Sequence, residues 1–145
     1  MVNIKCIKLR DGAVIPSYGS LGAAGCDLSA AIDSSVVIAP HQTIKIPTGL
    51  AIELPENTFG AIYARSGIAT REGLAPANKV GIVDCDYRGE IMVAIHNHSD
   101  EHRIIEPGQR IAQLIIQPYI MAVYEESETL NSTDRGVGGF GSTGK

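Results

Sequence analysis

The chain has 145 residues, of which 44% are hydrophobic and 19% charged, and its formal net charge is −4. This composition excludes a disordered chain, a coiled coil and a collagen-like repeat, and the length predicts one compact domain. The acidic balance argues against non-specific nucleic-acid binding, which needs a basic surface. No apolar stretch approaches the ~20 residues of a membrane span and no signal-peptide core is present, so we expect a cytoplasmic protein.

Short segments rich in β-branched residues follow one another along most of the chain. Nine of them are predicted as strands, over residues 2–7, 35–38, 43–46, 48–54, 58–64, 90–96, 102–105, 110–117 and 120–124. Only residues 66–72 are compatible with a helix. Many short strands without helix-length periodic segments favour an all-β sandwich or barrel.

The composition changes near the C-terminus, which predicts three regions. Residues 1–124 form the β domain, residues 125–134 a polar, acidic linker and residues 135–145 a glycine-rich tail. The tail cannot build a core by itself, and a flexible terminus is its ordinary interpretation. Its hydroxyls, glycines, terminal cations and single aromatic ring are also the parts of an anion-binding nest with a stacking lid.

Two segments in the first half of the chain place polar groups beside glycine. Asp27 follows a glycine in Ala-Gly-Cys-Asp-Leu, where an ordinary turn acid is the simpler interpretation. Arg65, Ser66 and Gly67 end a predicted strand just before the helix candidate. The serine could be a plain N-cap, or the helix start, hydroxyl and guanidinium could converge on a phosphate.

Two later segments carry more polar groups than their predicted elements need. Residues 78–90 place an Asn, two Asp and a Tyr around one bend, although Asp-Tyr-Arg-Gly alone would pass as a β-turn. Gln113 lies inside a nearly continuous apolar strand predicted to be buried on both faces. A buried amide must be hydrogen-bonded, either to the core or to a ligand.

Histidine and cysteine give no clear metal or disulfide pattern. His96, His98 and His102 bracket a polar turn without a further ligand at metal-site spacing, so we interpret them as solvated turn residues. Three cysteines are too few for a disulfide framework and contain no CxxC pair. They are expected to be reduced and packed as small apolar residues.

In their order and spacing, these segments closely resemble the five motifs of the trimeric dUTPase family, from about residue 24 to residue 144. The matching stretches are AGCDL, ARSG, GIVDCDYRGE, GQRIAQL and RGVGGFGSTG. Ala64 departs from the family, which commonly has proline before Arg-Ser-Gly. The resemblance implies a jelly-roll-like β-barrel and a homotrimer whose active sites are shared between subunits.

The resemblance also implies the reaction, which is hydrolysis of dUTP to dUMP and pyrophosphate by water attack on the α-phosphorus. Asp84 would be the general base, and Asp86 would stabilise the turn. Asn78 and backbone groups including Gly81 would bind uracil, while Tyr87 under the deoxyribose would exclude a 2′-hydroxyl. The reaction would limit uracil incorporation into DNA and supply dUMP for dTMP synthesis.

The remaining family roles concern the triphosphate. Mg²⁺ would be held mainly by the substrate phosphates and would contact Asp27 through water. The residues implied to bind phosphate are Arg65, Ser66, Gly67 and Gln113. From the tail, Phe140 would stack on uracil, with Arg135, Gly141, Ser142 and Thr143 on the phosphates. Two alternatives stay open, a dUTP-responsive regulatory binding protein and a dCTP deaminase of the same fold.

Overall fold

The computed structural model describes residues 2–139 of the chain. These residues form eleven strands and one short helix, so the predicted all-β fold class is confirmed. The strands are β1 (Lys5–Lys8), β2 (Cys26–Ser29), β3 (Val36–Ile38), β4 (Thr43–Pro47), β5 (Leu50–Glu53), β6 (Thr58–Tyr63), β7 (Leu74–Pro76), β8 (Gly81–Val83), β9 (Met92–Asn97), β10 (Arg103–Ile105) and β11 (Arg110–Pro118). The helix α1 (Ser66–Glu72) lies between β6 and β7.

The strands pair in four antiparallel groups, as expected of a jelly-roll-like fold. The largest sheet has the order β2-β11-β6-β8, and a second has the order β4-β9-β7. Two further pairs, β1 with β5 and β10 with β3, complete the arrangement. Most neighbouring strands are far apart in sequence, so each sheet brings distant segments together. This topology allows the separate polar segments of the sequence to meet.

The core consists of isoleucine, leucine, valine and alanine contributed by nearly every strand. Alternate positions on β9 show the expected pattern, because Val93 and Ile95 are buried while Met92 is exposed. The core also contains Asn97, whose amide donates to the carbonyl oxygens of Ile38, Ala39 and Glu101. Asn97 therefore organises a turn from the interior, which the sequence interpretation of a polar turn did not foresee.

The helix α1 has the predicted bounds. It ends at Gly73, which adopts the left-handed conformation with φ of 69° and donates its N–H to the Ile68 carbonyl. Ile68 is its only buried side chain. The residue at the N-cap position is Arg65, and no side chain caps the helix. The interpretation of Ser66 as a plain N-cap is therefore wrong, which leaves its hydroxyl available at the surface.

Strand β11 contains an irregularity that decides which of its side chains share a face. Its register with β2 shifts between Arg110 and Ala112, so one extra residue lies on β11 at that point. In a regular strand, residues 110 and 113 would face opposite sides of the sheet. The bulge places both beside Asp27, the register partner of Gln113.

The strand predictions were correct for most of the long segments and wrong in two respects. Strands β2, β7 and β8 were not predicted, because each is short and begins at or directly after a glycine, which is typical of turns. Residues 120–124 were predicted as a strand but form none. They have suitable side chains but no strand partner within the described part of the chain, and all five are exposed.

Two smaller expectations concern the cysteines and membrane spans. Cys6, Cys26 and Cys85 form no disulfide with one another; Cys26 is buried and the other two are half-buried, and burial raises the pKa of both Cys6 and Cys26. In the described residues, no helix has the length and apolar character needed to cross a bilayer.

Candidate active site

The segment after β8 forms a tight turn that presents Asp84 and Tyr87. The Tyr87 N–H donates to the Asp84 carbonyl at 3.1 Å and closes the turn. The Arg88 guanidinium donates to the carbonyl oxygens of Cys85 and Tyr87 at 2.7 and 3.0 Å. The backbone of the turn is thereby fixed, while the Asp84 side chain stays exposed.

This turn borders a cavity of about 370 Å³, which is large enough for a nucleoside. Asn78 and Gly81 line this cavity. Lys45, Met92 and Ala94 of the β4-β9-β7 sheet line it as well. Asp84 and Tyr87 line the same cavity. The structure therefore brings together all four predicted residues of the hairpin segment. We refer to this space as the hairpin cavity.

A second depression, of about 420 Å³, lies where β2, β11 and the start of α1 meet. The residues lining it are Gly19, Ala23, Gly25, Asp27, Arg65, Ser66, Gly67, Arg71, Arg110 and Gln113. Three of these side chains are guanidinium groups and one is a carboxylate. The depression is thus locally basic in an acidic chain, as a phosphate site requires. We refer to it as the basic depression.

Asp27 holds two of these arginines. Its carboxylate accepts from Arg65 Nε at 2.7 Å and from Arg110 Nη1 at 3.1 Å. The side chains of Asp27 and Arg65 are only 21% and 25% exposed, so this pair is better shielded from water than a surface ion pair. Asp27 is therefore not an ordinary turn acid but the residue that positions the guanidinium groups.

Gln113 closes the inner side of the basic depression. Its amide nitrogen donates to the Ala64 carbonyl at 2.8 Å, and its carbonyl oxygen lies against Gly25. A Cβ atom at position 25 would come within 2.8 Å of that oxygen, which explains why glycine precedes Cys26. The amide is half-buried and bonded to protein, yet it still lines the depression.

The two spaces share no lining residue. Arg135 belongs to neither, since its exposed side chain donates to the Gly138 carbonyl in a local turn. Phe140, Gly141, Ser142 and Thr143 lie outside the described residues. One chain thus presents two separate spaces, one of nucleoside size and one that is locally basic.

A family model described as dUTPase matches residues 11–144. The deoxyuridine 5′-triphosphate nucleotidohydrolase of Desulfitobacterium hafniense is 47% identical over 144 residues, covering 99% of this chain and 95% of the relative. The corresponding protein of Acinetobacter baylyi is 42% identical over 147 residues, covering 99% and 98%. The chain belongs to the dUTPase family. The predicted family and its enzyme class, dUTP diphosphatase, are thereby confirmed.

Solved structures agree with this assignment. The dUTPase of Staphylococcus bacteriophage 80alpha, determined with dUpNHpp, superposes with a TM-score of 0.87 at 25% identity and full coverage of both chains. A variant of the same phage enzyme gives a TM-score of 0.85 at 27% identity, covering 97% of this chain and 98% of that one. The jelly-roll-like fold is confirmed by both.

The family uses a divalent metal, and the residues present fit one that arrives with the substrate. Within residues 2–139, no three His, Cys, Asp or Glu side chains form a group that could hold an ion. His96 is half-buried and bonds Thr43, while His98 and His102 are exposed. Asp27 offers a single carboxylate at the basic depression, which suits contact through a water ligand.

Three residues near the two spaces were missed by the sequence analysis. Arg71 and Arg110 line the basic depression, and only the bulge in β11 brings Arg110 there. Tyr119 follows β11 and packs edge-on against Phe59. The pKa of its hydroxyl is raised, mainly because it hydrogen-bonds the Cys85 side chain beside Asp84. The helical spacing of Gly67 and Arg71 could have signalled Arg71, but no short-range sequence pattern signals the contacts of Arg110 and Tyr119.

Proposed function

We propose that the chain hydrolyses dUTP to dUMP and pyrophosphate, with water attacking the α-phosphorus. The observation that carries this proposal is the pair of half-sites: a nucleoside-sized cavity with one exposed carboxylate at its edge, and a separate basic depression. A nucleoside triphosphate has the two parts that such a pair would bind. The reaction centre would lie where the two parts join.

Asp84 is the proposed general base. Its carboxylate is exposed at the edge of the hairpin cavity, and its backbone is held by the turn to Tyr87. A carboxylate in this position would accept a proton from water and, more importantly, hold that water in line with the leaving pyrophosphate. Asp86, also exposed on the turn, has no such place in the cavity lining.

Uracil and deoxyribose would occupy the hairpin cavity. Asn78 and the backbone at Gly81 would pair with the edge of the base, and a cytosine there would leave donors or acceptors unpaired. The Tyr87 ring would lie against the sugar and leave no room for a 2′-hydroxyl. Specificity for uracil and for deoxyribose would therefore come from one hairpin.

The phosphates would bind in the basic depression, to Arg65, Ser66, Gly67 and Gln113. Asp27 would keep Arg65 in place and would contact Mg²⁺ through water. When bound with the triphosphate, Mg²⁺ neutralises phosphate charge and makes the phosphorus a better electrophile. The arginines would stabilise the negative charge that develops on the leaving pyrophosphate.

The two half-sites would be joined in a homotrimer. Within one chain, the two spaces share no lining residue. In addition, the apolar side chains of residues 120–124 are exposed, which is typical of a segment that packs against another subunit. The β domain of residues 1–124, the linker 125–134 and the tail 135–145 would then act together. A ten-residue linker can span up to ~35 Å.

The tail would close over the bound substrate. Phe140 would stack on uracil, and Arg135, Gly141, Ser142 and Thr143 would contact the phosphates. A glycine-rich segment loses much conformational entropy when it orders, so closure would be driven by substrate binding. In the cytoplasm, the reaction would limit uracil incorporation into DNA and supply dUMP.

A nucleotide panel in ¹⁸O-labelled water tests this proposal. We expect pyrophosphate release from dUTP with Mg²⁺, little release from UTP, dTTP or dCTP, and the label in dUMP rather than in pyrophosphate. Label in pyrophosphate would contradict attack on the α-phosphorus. Deamination of dCTP, or no release from dUTP, would contradict the proposed function.

A regulatory role is the second candidate. The 80alpha structure belongs to work on phage dUTPases that control transfer of virulence genes by a G protein-like mechanism. If this chain also acts as a dUTP-dependent switch, the Asp84→Asn variant should bind dUTP and a regulatory partner for a prolonged time without turnover. Partner binding that is equally strong with and without dUTP would contradict a role as a dUTP-dependent switch.

A further inference from the structure

The Tyr87 ring rests directly on the backbone of Gly89. A Cβ atom at position 89 would lie 2.6 Å from the Tyr87 Cζ atom, far inside van der Waals contact. Gly89 does not have the left-handed conformation that favours glycine, so its backbone would accept alanine. The three atoms nearest to that Cβ all belong to the Tyr87 side chain, so an alanine would force the ring to move.

The hydroxyl end of the ring is held as well. Tyr87 Oη donates to the Glu90 carbonyl at 3.0 Å. The Glu90 carboxylate in turn accepts from the Gly49 N–H at 2.9 Å and from Arg10 Nη2 at 2.8 Å. The Glu90 side chain is only 18% exposed, so this ion pair is partly shielded from solvent. Glu90 thus links the ring to the start of the chain.

The backbone beyond Glu90 is anchored in the core. Ile91, which is 2% exposed, donates its N–H to the Leu50 carbonyl at 2.8 Å. The Ile91 carbonyl accepts from the Thr48 N–H and from the fully buried Thr48 hydroxyl, at 3.1 and 2.7 Å. The acceptor for the Tyr87 hydroxyl therefore lies on a rigid support.

We propose that Gly89 and the Arg10–Glu90 ion pair are positioning residues that set the Tyr87 ring and thereby determine how strictly the pocket rejects a 2′-hydroxyl. This inference rests on the proposed function, because it assigns the ring to the sugar site. A displaced ring would open space beside C2′ while leaving the Asp84 carboxylate in place. Sugar discrimination would then fall much more than turnover.

The Gly89→Ala substitution tests the first part, with Gly22→Ala as the matched control. Gly22 also has no left-handed conformation, and a Cβ atom there would meet nothing within 4 Å. We expect the dUTP-to-UTP ratio of kcat/KM to fall about tenfold in Gly89→Ala, with kcat for dUTP within about threefold. Gly22→Ala should leave both quantities unchanged.

The Arg10→Met and Glu90→Gln substitutions test the ion pair. The Lys5–Glu53 pair at 3.1 Å joins neighbouring strands nearby, but its side chains are 80% and 47% exposed, so Lys5→Met is a matched control. We expect discrimination to fall about threefold in Arg10→Met and Glu90→Gln, and no change in Lys5→Met. Tyr87→Phe should show the same loss, and combining it with Glu90→Gln should add little.

Dissociation constants of dUDP and UDP separate this inference from the proposed function, because they need no catalysis. If the parent protein prefers dUDP but does not cleave dUTP, the proposed function fails and the ring can still be tested by binding. If the parent cleaves dUTP and the folded Gly89→Ala variant keeps its full preference for deoxyribose, the positioning role is overturned. An equal loss in Lys5→Met would overturn the role of the ion pair.

Discussion

The hairpin cavity and the basic depression are built in different ways. The hairpin cavity draws Asn78, Gly81, Asp84 and Tyr87 from one short stretch of sequence, and its backbone is fixed by local hydrogen bonds. The basic depression collects side chains from β2, β11 and α1, and Asp27 holds two of its three arginines in place. The hairpin cavity is therefore defined mainly by its shape, and the basic depression mainly by its charge.

This difference determines what each region can discriminate. Shape acts over the length of a methyl group or a hydroxyl, so the hairpin cavity can select base and sugar. Charge acts over several ångströms and is indifferent to the base, so the basic depression can supply affinity for any triphosphate. Substitutions in the two regions should therefore have separable effects.

The largest effect is expected from Asp84→Asn, which keeps the shape of the hairpin but removes the proposed proton acceptor. Turnover of dUTP should fall by ~10² or more while the dissociation constant for dUTP changes little. Single-turnover kinetics and equilibrium binding measure the two quantities. Asp86→Asn, on the same exposed turn, is the control and should stay within a few-fold of the parent. Unchanged turnover in Asp84→Asn would remove Asp84 from its role.

Arg65→Gln should give the next largest effect and should depend on phosphate. We expect the affinity for dUTP to fall by about 30-fold, since a charge-assisted contact is lost, while deoxyuridine binds as before. Calorimetry with both ligands measures this. Arg103→Gln is the matched control, because the Arg103 side chain is also 25% exposed but pairs with Glu101. Equal losses for dUTP and deoxyuridine would show that the two regions are not separable.

Asn78→Ala should show the opposite pattern. Loss of the amide that we propose pairs with uracil should weaken the binding of dUTP and deoxyuridine equally, by about tenfold, because neither ligand loses a phosphate contact. The exposed Asn3 provides the control substitution, Asn3→Ala. A loss of affinity for dUTP without a loss for deoxyuridine would contradict the assignment of Asn78 to the base and would place it at the phosphates instead.

A smaller effect concerns stability and pH. The pKa of His98 is lowered from its ordinary value of 6.5, first by desolvation and then by His96, Lys79 and His41. Because the unfolded chain then binds this proton more readily, stability should fall as pH drops through about 6.5 and be unaffected by His98 above it. Between pH 7.5 and 5.5, the melting temperature of His98→Gln should fall less than that of the parent protein. His102→Gln is the control, because His102 is also exposed but is not among the groups that act on His98, and an unchanged pH dependence in His98→Gln would contradict this expectation.

The sequence predicted the contiguous features of the molecule best. The bounds of α1 follow from its flanking residues and Gly73, and the hairpin residues from 78 to 90 meet because a turn needs no distant partner. Arg110 was missed because strict alternation places it opposite Gln113, and only the bulge in β11 reverses this. Residues 120–124 were predicted as a strand because the side chains fit, but a strand also needs a neighbour.

Mixing two impaired variants tests most directly whether the two separate spaces are joined between chains. Asp84→Asn and Arg65→Gln subunits, carrying different tags, would be coexpressed and the mixed assemblies isolated through both tags. If the assembly is a trimer in which each site takes its hairpin cavity from one chain and its basic depression from a neighbour, one of the three sites in every mixed trimer is intact. At a dUTP concentration too low to saturate the Arg65→Gln sites, turnover should then recover to about a third of the parent level. Turnover that stays at the level of the single variants would contradict the shared site.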